Sequence, residues 1–106
     1  MQVKIGKLLD AATATGPGGY AGPAQAGAKT FHAHVQGTGA VTATVELQVS
    51  NMPLVASSWI TAATFTLSGT TIATDAAVIE GQYGYFRGEV TAISGTGATV
   101  NLVTGE

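Results

Sequence analysis

Residues 36–45 read QGTGAVTATV and residues 94–103 read SGTGATVNLV, so the chain writes Gly-Thr-Gly-Ala twice between β-type flanks. If Gly37-Thr38-Gly39 is a three-residue hairpin loop, Val35 faces Val41, Ala33 faces Ala43 and Phe31 faces Val45, and one face of the hairpin is apolar. A two-residue loop scrambles both faces, because a one-residue slip inverts every side chain of a strand. The same loop at Gly95-Thr96-Gly97 sets Ala92 against Val100 and Val90 against Leu102. Such loops close on a left-handed residue, which glycine enters without steric penalty. The reading therefore predicts two hairpins, with Gly37, Gly39, Gly95 and Gly97 as structural turn residues.

Outward from these turns the period stays at two. Phe31, Ala33 and Val35 alternate with His32, His34 and Gln36, and Val41, Ala43, Val45, Leu47 and Val49 alternate with Thr42, Thr44, Glu46, Gln48 and Ser50. After the break at Asn51 and Pro53, the set Trp59, Thr61, Ala63, Phe65, Leu67 alternates with a polar set, and Ser68-Gly69-Thr70 predicts another turn. A strand over residues 71–79, with Ile72 and Val78 on one face, precedes a last hairpin that buries Phe86, Val90, Ala92, Val100 and Leu102. Strict alternation marks half-buried antiparallel strands, and the many threonines suit a pleated surface. No segment holds a helical period. The expected fold is all-β, an antiparallel β-sandwich or jelly roll of about seven to eight short strands.

Residues 1–28 form a separate N-terminal piece, a short strand over 2–9 followed by an extended arm of Ala, Gly, Thr and Pro in which Tyr20 is the large side chain. Residues 29–106 are expected to form the sandwich domain. The arm contains GPGGYA, which fits the dinucleotide fingerprint in form, but Pro23 stands where the required helix would run, so a loop is expected.

Composition narrows function. The chain has 106 residues, 45% hydrophobic and 9% charged, with a net charge of −2 and no cysteine. This is too apolar for disorder and fits one domain. Four basic residues supply no stripe to neutralise a phosphate backbone, so nucleic acid is not expected as a partner. No apolar run is long enough for a membrane span, and Asp10 with the short Leu8-Leu9 pair argues against a signal peptide. Disulfides and thiolate chemistry are excluded, and no cofactor is expected.

Candidate chemistry is sparse. His32 and His34 lie two apart on one outward strand face, where a metal would need Glu46, diagonal across the expected hairpin, as third ligand; solvated histidines are the plainer reading. The serines lack an oriented histidine, the carboxylates are scattered, and Arg87 and Glu89 read as a surface ion pair. No enzyme is expected. Trp59 falls on the inward set of its strand and reads as a core anchor. Tyr20, Tyr83 and Tyr85 sit in or beside loops and are the candidate partner contacts.

The outward positions are mostly Thr, Ser, Gln, Ala and Gly. Sheet proteins ordinarily guard exposed edges with charges, prolines or bulges, so this surface is expected to be covered by neighbours, in a homo-oligomer or a lattice. The stretches KTFHAHVQGTGAVTATVELQVSNMPL (29–54), SSWITAATFTLSGT (57–70) and YFRGEVTAISGTGATVNLV (85–103) resemble small virion proteins of tailed bacteriophages. In that group a strand, a GTGAV turn, an SN loop, a tryptophan strand and an ending with SGTGA recur. The segment SNMPLVASSW departs from it, the related loop being shorter and more acidic. The resemblance implies a capsid decoration or cement protein, placed in the virion after assembly in the bacterial cytoplasm, with the major capsid protein or other virion proteins as partners. A tail, neck or fibre component and a carbohydrate-binding sandwich module using Trp59 are the alternatives.

Overall fold

The computed structural model describes residues 5–20, 29–79 and 84–105. Its regular structure is almost entirely strand: β1 (Ile5–Ala12), β2 (Gly16–Pro17), β3 (Lys29–Ser50), β4 (Ile60–Ile79) and β5 (Tyr85–Gly105), with a single 3₁₀ turn at Ala56–Ser58. The strands form one antiparallel sheet in the order β1-β5-β3-β4, and β2 adds a short pairing to β5. The all-β, antiparallel expectation holds. The expected series of short strands does not, because β3, β4 and β5 run for 22, 20 and 21 residues.

The two Gly-Thr-Gly stretches are not hairpin loops. Residues 36 and 40 of β3 pair with Ile72 and Thr70 of β4, so the strand passes through Gly37-Thr38-Gly39 and continues. Val35 lies opposite Val100 and Ala73 rather than Val41. The two stretches are instead neighbours: Thr38 lies opposite Thr96, with register shifts on either side. Positive φ values at Gly39 (75°), Thr71 (67°), Gly95 (126°) and Gly97 (65°) put an irregularity in all three long strands at one level. The expected turn at Ser68-Gly69-Thr70 is likewise a bend within β4. The repeat thus encodes two adjacent bends. Alternation alone could not separate them from turns, since both leave the flanking faces apolar.

The bends fold the sheet back over its own inner face. Phe31 and Phe86 have ring centroids 5.2 Å apart, yet Phe86 lies opposite Val49, and residues 31 and 49 of one straight strand would stand about 60 Å apart. Only a doubled-back sheet closes that distance, and the molecule measures 39 × 35 × 17 Å. The core lies between the halves: Phe31, Ala33 and Val35 on one, Val41, Val45, Leu47, Val49, Phe65, Leu67, Phe86 and Val90 on the other, with Val100 and Leu102 returning on β5. Strands change layer by such bends and bulges.

Bulges explain the remaining departures from alternation. Between Lys7 and Leu9 the β1 register slips, so Leu8 and Leu9 are both buried. Between Val90 and Ala92 of β5 an extra residue flips the phase, which leaves Ala92 exposed rather than buried. Ala11, at φ 52°, donates its N–H to Asn101 Oδ1 at 2.9 Å. Ile72 and Val78 share a face, but it is the solvent face, at 53% and 61% exposure.

Candidate contact surfaces

Beyond Leu47, β3 is buried on both sides, since Gln48 and Ser50 are enclosed as well as Leu47 and Val49. The cover on the outer side is aromatic. After Gly16–Pro17 has paired with Glu89 and Val90, Gly18 donates its N–H to Gly88 O at 2.8 Å. The close approach needs glycine on the arm: a Cβ on Gly18 would lie 2.8 Å from Leu9 Cδ2. The arm then delivers Tyr20 to Tyr85, edge-on at 5.7 Å, and to Trp59 at 6.2 Å.

Trp59 is not a core anchor. It is half-buried outside the core cluster, its indole N–H directed at Pro53 O at 3.4 Å and its ring under the Arg87 guanidinium at 4.7 Å. It stands just ahead of β4, and the bulge at Ala62 separates its phase from that of Phe65 and Leu67. The structure brings Tyr20 and Tyr85 together; Tyr83 lies outside the described residues.

A polar row continues from the aromatic group. Glu46 and Glu89 are directly opposite across β3 and β5, an unfavourable pairing of like charges. Gln48 relieves it, its Nε2 donating to Glu46 Oε1 at 3.2 Å and to Glu89 Oε1 at 3.0 Å, while Thr61 Oγ1 donates to Glu46 Oε1 at 2.9 Å. Arg87 Nε donates to Gln48 Oε1 at 2.6 Å. The surface ion pair expected between Arg87 and Glu89 is therefore bridged by Gln48. Sequence reading missed Gln48 and could have found it as the amide flanked, on the outward set, by the carboxylate of Glu46. Gln48→Leu is expected to cost about 2 kcal/mol, because two carboxylates lose a shared donor. Urea denaturation at low and high salt checks it, with part of the loss recovered as screening increases.

The histidines stand elsewhere. His32 and His34 lie opposite Val103 and Asn101, whereas Glu46 lies beyond the bend opposite Glu89, so the third ligand expected for a metal is not beside them. Thr74 donates its hydroxyl to Ala33 O at 3.1 Å, and His32 Nε2 is hydrogen-bonded to the same hydroxyl. Among the described residues no cluster of three or more His, Asp or Glu side chains forms. Ser50 and Ser58 bond each other at 2.6 Å and hold the loop backbone at Met52 and Val55, a structural use of both hydroxyls.

The second surface is β4 itself. It closes one side of the sheet and pairs only with β3 among the described residues. Of its 20 residues, Asp75 alone is charged. The opposite edge, β1, is 8 residues long with two register shifts, whereas β4 carries two shifts over 20 residues and leaves a longer regular run between them; short, bulged strands are the usual edge defences. Ile60, Ile72 and Val78 on β4 are more than half exposed. No family model, no curated protein and no solved structure matches this chain.

Proposed function

We propose that this chain is a structural virion protein of a tailed bacteriophage, a decoration or cement protein seated on the capsid shell. The observation that carries the reading is the long edge strand β4, paired only with β3 among the described residues and holding one charge in 20 residues. A free monomer with such an edge is exposed to indiscriminate strand pairing; a building block uses it for assembly. In this reading the doubled-back sheet is a two-layered antiparallel β-sandwich, and since residues 12–20 of the expected arm pack on β5 of their own chain, the edge of β4 is the element that grips neighbouring subunits by strand addition. The major capsid protein is the first partner. Small contacts repeated over many copies supply avidity that no single contact has.

Copy number in purified particles tests the proposal. Quantitative mass spectrometry is expected to find on the order of hundreds of copies per particle, as icosahedral symmetry requires of a shell coat. A dozen or fewer would move the chain to a neck, tail or fibre, and absence from particles would overturn the virion reading.

The aromatic group favours one second reading, a carbohydrate-binding module. Tyr20 is 48% exposed and stands with Tyr85 beside Trp59, with amide and carboxylate groups along the adjoining row. Saturable quenching of tryptophan fluorescence by a soluble polysaccharide, lost in Tyr20→Ala, would support that module.

A further inference from the structure

We infer that the segment 62–70 of β4 is a self-pairing edge, whose occupant is the same segment of a second copy running antiparallel across a two-fold axis. The inference deepens the assembly reading above and rests on it. β4 divides at its bend into two unlike halves. In the half beyond Thr71, Asp75 Oδ1 accepts the N–H of Ala76 at 2.8 Å, so a charge and a locally satisfied donor stand on that stretch. Symmetric pairing there would bring the Asp75 side chains of two copies together. The half before the bend has neither charge nor proline from Ile60 to Thr70, and its bulge at Ala62 lies at the far end.

Pairing centred on Thr66 matches this half with itself. On the outer face Thr64 meets Ser68 and Thr66 meets its own copy, combinations that hydrogen-bond across strands. On the inner face Phe65 meets Leu67 and Ala63 meets Gly69. Phe65 and Leu67 are already buried, at 1% and 2% exposure, so the pairing adds backbone hydrogen bonds and outer-face contacts rather than new apolar burial. A foreign strand would find no charge here to select it, whereas a second copy brings the same twist and bend. A net charge of −2 per chain opposes the approach only weakly at physiological salt.

The segment spans about 30 Å and a sheet layer is about 10 Å deep, so the pairing covers on the order of 300 Å² per copy. That is below the roughly 800 Å² per partner of a stable complex, and the association is accordingly weak and reversible.

Sedimentation velocity on the full chain, from about 10 µM to about 1 mM, tests this. The wild type is expected to shift reversibly from monomer to dimer. Thr66→Lys sets two lysines against each other on the axis and is expected to weaken the dimer about 100-fold, with Thr64→Lys acting in the same direction as a second variant. Val78→Lys, in the guarded half, is expected to dimerise as the wild type does. Circular dichroism confirms that each variant is folded, all three positions being exposed. A wild type that stays monomeric throughout, folded Thr66→Lys and Thr64→Lys chains that dimerise unchanged, or a Val78→Lys chain that alone dissociates would overturn the inference. A monomer still abundant on particles would sink the self-pairing alone, and a dimer absent from particles would sink the virion reading alone.

Discussion

Phe31→Ala is expected to lower the unfolding free energy by about 3–5 kcal/mol, a large share of the roughly 5–15 kcal/mol that holds a domain together. Phe31 is fully buried, and its ring meets Phe86 across the fold of the sheet. Truncation removes the apolar ring contact that Phe31 makes with Phe86 across the fold. A urea melt measures the loss. A double-mutant cycle with Phe86→Ala is expected to show coupling of about 0.5–1.5 kcal/mol, the range for an aromatic pair. A loss under about 1 kcal/mol, the size of an ordinary surface change, would mean that the halves do not face each other.

Gly95→Ala and Gly97→Ala are expected to differ sharply, although they occupy the two ends of one Gly-Thr-Gly. Gly95 has φ 126°, and a Cβ there would lie 2.8 Å from Ala40 O and 2.9 Å from Val41 Cγ1. Strain in a region that only glycine enters adds to a clash with the backbone of β3, for a total of about 3 kcal/mol or more. Gly97 has φ 65° with nothing within 4 Å of the added carbon, so its alanine meets only the left-handed penalty of about 1–2 kcal/mol. Comparison of thermal or urea midpoints checks the order. Equal losses would mean that residues 94–97 form a free loop, as a hairpin requires, rather than a bend pressed against β3.

That contrast marks where the sequence is mute. Two glycines in one short motif carry the same letter and the same expected turn role, and only the neighbouring strand distinguishes them. Trp59 is a similar case. Its position two residues before Thr61 aligns it with Phe65 and Leu67 on paper, but one bulge at Ala62 breaks the phase and leaves the indole to Arg87 and Tyr20. Ala92 was misplaced by the same kind of one-residue insertion in β5. Tyr20 and Tyr85 were legible only as large aromatics outside the inward sets, and their contact with each other at 5.7 Å depends on the arm pairing with β5.

From its letters alone this protein declares an antiparallel all-β chain, the inward set of Phe31, Ala33, Val35, Val41, Ala43, Val45, Leu47 and Val49, and a surface thin in charge. These are consequences of a period of two and of composition, both local. Only the tertiary structure decides that Gly37–Gly39 and Gly95–Gly97 are neighbouring bends, that Gln48 bridges two carboxylates, and that β4 is an edge strand, paired among the described residues with β3 alone. The reason is that a bend and a hairpin leave the same alternation on either side. Which strand lies next is settled by contacts between residues far apart in the chain, and no local period records it.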